Sequence, residues 1–168
     1  MSDFGRMVEA EIPRLRRYAR ALTRDALTRD ISRADDLVQS CLTRAIAKQH
    51  LWPNLRAWLF TILHNQHVSD VRRAAREVVT VSVEDAPTLT TQPNAYDVLR
   101  LRDLRAEMDR LPIEQREAIL LIGLEGLPYE DAAKVLNVPI GTIRSRLSRG
   151  RDQLRKLMGM DDEPAAAA

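Results

Sequence analysis

Cysteine is nearly missing from this chain: of its 168 residues only Cys41 carries a thiol, so no internal disulfide can form. The three histidines, His50, His64 and His67, lack the ligand spacing of a metal site, and no structural metal is expected. Aromatic residues make up only 4%, and the six glycines are dispersed, so no phosphate-cradling loop is present. A nucleophile-elbow serine and paired metal-ligand motifs are absent as well. Neither an enzyme nor a cofactor is expected. No segment approaches the roughly 18 consecutive apolar residues of a membrane span, and the opening MSDFGRMVEAE has no basic region followed by an apolar core. These absences predict a cytoplasmic protein without membrane insertion.

What is present is charge and helical periodicity. Charged residues are 30% of the chain and hydrophobic residues 45%, enough for one ordinary domain or two small helical bundles. The formal net charge is only +2, so affinity for nucleic acid must come from where the charges sit. The carboxylates lie beside arginines and read as solvated ion pairs on helix surfaces.

The segment from Phe4 to Arg76 shows no strand patterning and reads as three or four helices. Val8, Ile12, Leu15, Ala19 and Leu22 mark the first, with Pro13 near its start or at a kink. Ala21-Leu22-Thr23-Arg24-Asp25 is then repeated at once as Ala26-Leu27-Thr28-Arg29-Asp30, a copy too short for a solenoid repeat. Ser32 is a candidate cap for the next helix, whose apolar face is Leu37, Val38, Cys41, Leu42, Ala45 and Ile46. Its other face carries Asp35, Asp36, Gln39 and Thr43, either solvated or a polar docking surface. After Trp52-Pro53-Asn54, Leu55, Trp58, Leu59, Ile62, Leu63 and Gln66 share one helical face. That helix ends in a basic cluster, Arg72, Arg73 and Arg76, which with His64 and His67 nearby is suited to a phosphate backbone. Asn65 is either a surface residue or a base reader.

Residues 77–95 contain no lysine or arginine, carry Glu77, Glu84 and Asp85, and read as an acidic linker. Periodicity returns from Tyr96 through Val98, Leu101, Leu104, Met108 and Leu111, and Pro112 opens a further helix. The tail 161–168 is expected to be disordered.

The most informative stretch is Leu127 to Met158. Tyr129 to Leu136 predicts a short helix, Asn137-Val138-Pro139 ends it, and a second helix starts at Ile140. Ile140, Ile143, Leu147, Gly150, Leu154 and Leu157 recur at steps of three and four and predict its buried stripe. Ser145, Ser148 and Arg149 then point away, flanked by Arg144, Arg146 and Arg151, where guanidinium forks and hydroxyls reach base edges and phosphates. This is a helix-turn-helix with an arginine-rich second helix.

Ala34-Asp35-Asp36-Leu37-Val38-Gln39, the run Leu55 to Asn65, and the segment from Leu111-Pro112 to Arg151 with its Gly141-Thr142-Ile143-Arg144-Ser145-Arg146-Leu147 centre follow one another in this order. Together they resemble the extracytoplasmic-function (ECF, group 4) sigma factors of bacterial RNA polymerase, in wording similar to the alphaproteobacterial members, which include general-stress-response factors. The resemblance implies an all-α protein of two helical bundles joined by a flexible linker: 1–76 as sigma region 2, 77–95 as the linker and 96–160 as region 4. It implies that Asp35, Asp36, Gln39 and Thr43 dock on the β′ clamp helices of core polymerase. Asn65, Arg72, Arg73 and Arg76 would meet the minus-10 element, and Arg144, Ser145, Arg146, Ser148, Arg149 and Arg151 the minus-35 element of promoter DNA. An anti-sigma factor is the further partner the resemblance implies. Two features depart from the family pattern: the loop between Trp52 and Leu55 is short, and the Ala-Leu-Thr-Arg-Asp copy is additional. Two rival readings stand beside it, an operator-binding helix-turn-helix regulator and a sigma-like decoy that sequesters an anti-sigma factor.

Overall fold

The computed structural model describes residues 2–23, 31–48, 53–76 and 95–160. The repeated Asp25–Asp30 portion, Trp52, the stretch 77–94 and the tail 161–168 lie outside the described residues. Among the described residues the secondary structure is entirely helical. The elements are α1 (Asp3–Leu22), α2 (Ile31–Lys48), α3 (Leu55–Arg76), α4 (Ala95–Arg110), α5 (Ile113–Ile119), a π-helical turn (Leu120–Leu124), α6 (Tyr129–Leu136) and α7 (Ile140–Leu157).

α1 starts at a Ser2 cap whose hydroxyl accepts from the Gly5 amide, and Pro13 is carried inside the helix. Its predicted stripe is the buried one, with Val8, Leu15, Ala19 and Leu22 all inside. α2 starts at Ile31, so Ser32 lies within the first turn and not at the cap. Leu37, Val38, Cys41 and Ala45 are buried as expected, but Ile46, near the end of the helix, is 52% exposed. α3 departs from a one-sided amphipathic pattern: Ala57, Trp58, Leu59 and Phe60 are buried in succession. The cause is a helix covered on more than one side, packed against α1 and α2 and also against α6. Asn54 caps it through Oδ1, which accepts from the Ala57 amide at 3.1 Å. Tyr18 of α1 meets Phe60 of α3 edge to face at a centroid distance of 5.1 Å, and Arg56 forks onto Glu11 at 3.0 and 3.1 Å.

α4 begins at Ala95 and packs chiefly on α7, which leaves Leu101 exposed although its spacing placed it inward. α5 and α7 cross closely at Gly150, where an added Cβ would lie 2.9 Å from Ile119 Cδ1 and 3.2 Å from Gln115 Cβ. After α5 the chain widens into the π turn and ends it at Gly126, whose φ of 66° suits a residue without a side chain. The Glu125 and Leu127 amides bond back to Leu120 and Leu121.

One apolar core runs through the whole of the described fold, from Leu15, Tyr18 and Leu37 through Trp58 and Leu63 to Leu121, Leu127, Val135 and Ile143. The bundle α1–α3 and the bundle α4–α7 are thus packed on each other, mainly through α3 and α6.

Candidate nucleic-acid interface

α6 and α7 form the helix-turn-helix at the bounds the sequence predicts. Asn137 closes α6 in the left-handed conformation (φ 53°), which asparagine tolerates, and the Val138 amide returns to the Ala133 carbonyl at 3.0 Å. Pro139 precedes α7 with extended backbone, and its carbonyl accepts from the Thr142 and Ile143 amides. Ile143, Leu147 and Gly150 are buried, while Ile140 is 36% exposed because it precedes the crossing with α5.

The polar face of α7 is turned outward. Arg144, Ser145, Ser148, Arg149 and Arg151 are exposed and Arg146 is half-buried, near Glu117. Among the described residues Arg144, Arg149 and Arg151 form no ion pair with a carboxylate. Their guanidinium groups are therefore available to acceptors on base edges or phosphates. Ser145 is partly committed, since its hydroxyl donates to the Thr142 carbonyl at 3.0 Å and is left as an acceptor.

A second polar surface lies across α2 and α3. Asp35, Asp36, Gln39 and Thr43 are exposed on one face of α2, where Thr43 donates to the Gln39 carbonyl at 2.9 Å. An open groove of about 340 Å³ between the two helices is lined by Arg33, Asp36, Leu37, Gln66, Asp70 and Arg73. It brings one predicted docking residue, Asp36, beside one predicted phosphate contact, Arg73. Arg73 donates to Asp70 at 2.7 Å, and Gln66 donates to the same carboxylate oxygen at 2.9 Å. Arg72, Arg76 and Asn65 are exposed along α3.

The histidines do not belong to that basic cluster. Burial lowers the pKa of His64 to about 4, and His67 is lowered by burial and by Arg33. Both are neutral at pH 7 and add no charge for a phosphate. His64 instead faces the other bundle, with Nδ1 3.6 Å from Glu117 Oε1, too long for a hydrogen bond. Glu117 is itself buried, and burial raises its pKa to about 7.

This junction is not visible in the sequence. The carboxylates read there as solvated, yet the Glu125 carboxylate is fully buried and takes a fork from Arg17 of α1, Nε and Nη2 each at 2.8 Å. That pair raises the pKa of Arg17 further. Asn54, just before α3, donates to Asp131 of α6 at 2.5 Å. Tyr18 is wholly buried near Glu117 and Glu125, its pKa raised well above the usual value by burial, and its hydroxyl has no hydrogen-bond partner among the described residues. The partners lie 108 and 77 residues apart, so no local pattern announces them.

Comparison with known proteins agrees with this geometry. Residues 101–154 match the family model "Sigma-70, region 4", and residues 8–64 match "Sigma2 domain of PhyR". The chain is 43% identical to the ECF RNA polymerase sigma factor EcfG of Rhodopseudomonas palustris (strain TIE-1), covering 90% of this chain and 83% of that relative. Among solved structures it is similar to the sigma factor RpoE of Bartonella quintana in complex with the anti-sigma factor NepR. There the TM-score is 0.77, the identity 38%, and the match covers 96% of this chain and 99% of the other. CnrH in complex with the cytosolic domain of CnrY matches at a TM-score of 0.64 and 26% identity, over 95% and 89% of the two chains. No helix among the described residues is long and apolar enough to cross a membrane. The chain belongs to the ECF RNA polymerase sigma factors, transcription initiation factors and not enzymes.

Proposed function

We propose that this sigma factor acts in the cytoplasm by docking on core RNA polymerase through α2, and that its two bundles then read two separate promoter elements. In this reading residues 1–76 form region 2, 77–95 the linker and 96–160 region 4. Asp35, Asp36, Gln39 and Thr43 meet the β′ clamp helices. Asn65 holds a base of the opened minus-10 strand, while Arg72, Arg73 and Arg76 hold neighbouring phosphates. Extruding a base costs a few kcal/mol, which capture of the single strand on a positive surface offsets. Arg144, Ser145, Arg146, Ser148, Arg149 and Arg151 enter the major groove of the minus-35 element, where a good bidentate contact discriminates by about 1–3 kcal/mol.

The observation that carries this reading is the outward, uncommitted arginine face of α7 on a helix-turn-helix whose opposite face is buried. A decoy that only sequesters an anti-sigma factor has no use for that face. An anti-sigma partner is proposed as well, since the similar RpoE and CnrH were each solved with a partner, NepR and CnrY. Reversal of both α2 charges, Asp35→Lys with Asp36→Lys, is expected to abolish binding to core polymerase while circular dichroism and melting temperature stay unchanged, because both residues are exposed. Undiminished core affinity in the folded double variant contradicts the docking assignment.

A further inference from the structure

We infer that Asp70 is a positioning residue for the minus-10 grip: it holds Arg73 over the α2–α3 groove, away from the row that Asn65, Arg72 and Arg76 form on α3, and the strand gains Arg73 only by displacing this carboxylate. The inference rests on the minus-10 role proposed above for α3.

The proposed minus-10 contacts do not share one face. Each residue of an α-helix turns by about 100°, so Asn65, Arg72 and Arg76 fall within about 40° of one another. Arg73 lies about 80° round from the middle of that row, on the side of Gln66 and Asp70, which line the groove against α2 with it. Asn65, Arg72 and Arg76 are exposed, and neither Arg72 nor Arg76 forms an ion pair among the described residues. A strand lying along Asn65 thus meets two free guanidinium groups and a third that is already engaged.

The carboxylate that engages it is itself held in place. Asp70 Oδ1 accepts from Arg73 Nη2 at 2.7 Å and from Gln66 Nε2 at 2.9 Å. The Asp70 side chain is 30% exposed and that of Arg73 68%. Gln66 approaches from the inner side, with its Oε1 enclosed and without a hydrogen-bond partner among the described residues, so the bond to Asp70 orients its amide. Arg73, on the solvent side, leaves Oδ1 without disturbing the Gln66 bond. Arg33 lines the same groove from α2 and remains as a cation facing the carboxylate. A carboxylate and a phosphate present the same kind of charged oxygen acceptor to a guanidinium, so the two compete for Arg73. The contact that Arg73 makes with DNA is weakened by the ion pair it gives up, a factor of up to about five for an exposed pair.

The test assembles the full chain with sigma-free core polymerase and titrates it with a fluorescein-labelled DNA duplex carrying a pre-melted oligo-dT bubble, with core polymerase alone as the background. A double-mutant cycle of wild type, Asp70→Asn, Arg73→Ala and the double variant separates the pair from the bare loss of charge, beside Arg72→Ala and Arg76→Ala. The amide oxygen introduced by Asp70→Asn still accepts from Gln66, so the fold is kept, which circular dichroism checks. Asp70→Asn is expected to tighten DNA binding about threefold. Arg73→Ala is expected to weaken it about twofold in the wild-type background and about sixfold in the Asp70→Asn background. Arg72→Ala and Arg76→Ala are each expected to weaken it more than Arg73→Ala does in the wild type, and to lower the slope of log affinity against log salt by about 0.7. Absence of tightening in Asp70→Asn overturns the positioning role, and so does tightening of the same size in the Arg73→Ala background. If none of the three arginine variants weakens binding or changes the salt slope, the minus-10 role of α3 falls and this inference with it.

Discussion

At the residue scale, Glu117 and His64 face each other across the junction with opposite responses to pH. Burial raises the Glu117 pKa from its ordinary 4.5 to about 7, so its contribution to stability is complete below about 4.5 and is lost as pH rises towards 7. Burial lowers the His64 pKa from its ordinary 6.5 to about 4, so its contribution is present above 6.5 and lost as pH falls towards 4. Between pH 4.5 and 6.5 the two slopes oppose each other. Removing the carboxylate charge exposes the histidine's slope: Glu117→Gln is expected to be more stable than wild type at pH 7 by up to about 3 kcal/mol, with the difference vanishing near pH 4. Urea denaturation across that range checks it, and a pH-independent difference contradicts the assignment. On α7, Arg149 is exposed and unpaired among the described residues, so Arg149→Ala should flatten the ranking of minus-35 variants with no loss of stability. A uniform loss on every sequence makes Arg149 a phosphate contact.

At the element scale, α3 spans Leu55–Arg76 as its spacing predicts, and what its single predicted face does not show is how much more of the helix is covered. α1, α6 and α7 follow steps of three and four because each presents a single stripe to the core. The helix-turn-helix also announced its own punctuation, Asn137 for the left-handed close and Pro139 for the restart. In α3 the buried run Ala57 to Phe60 blurs the period, because α6 covers a side that the α1–α3 bundle alone would leave to solvent. The π turn gives no periodic signal, and the burial of Glu125 depends on an arginine 108 positions earlier. The candidate binding residues were legible as an exposed polar face; their surroundings, such as the Asp70 carboxylate shared by Arg73 and Gln66, were not.

The α5–α7 crossing yields a prediction at the same scale. A side chain at Gly150 must displace the Ile119 tip and press on Gln115 Cβ, so Gly150→Leu is expected to cost about 1–3 kcal/mol by thermal or urea denaturation. Gly141 has nothing within 4 Å, and Gly141→Ala is expected to raise stability by about 0.5–1 kcal/mol through helix propensity. Equal effects at the two sites contradict the close approach at Gly150.

At the scale of the whole molecule, one continuous core and a polar junction join two bundles that are proposed to act on DNA apart. Arg17, Glu125, Asn54 and Asp131 are paired across the junction, and among the described residues the Tyr18 hydroxyl and His64 Nδ1 have no hydrogen-bond partner. Each unsatisfied buried group weakens that packing by about 1–3 kcal/mol. In the proposed function this chain confers promoter choice on a polymerase. That role is tested most directly by in vitro transcription with sigma-free bacterial core polymerase, this protein and a pool of genomic promoter fragments, with the start sites mapped. Discrete new starts preceded by two shared, separated sequence elements are expected; absence of starts together with absence of binding to the core enzyme contradicts a role in promoter choice.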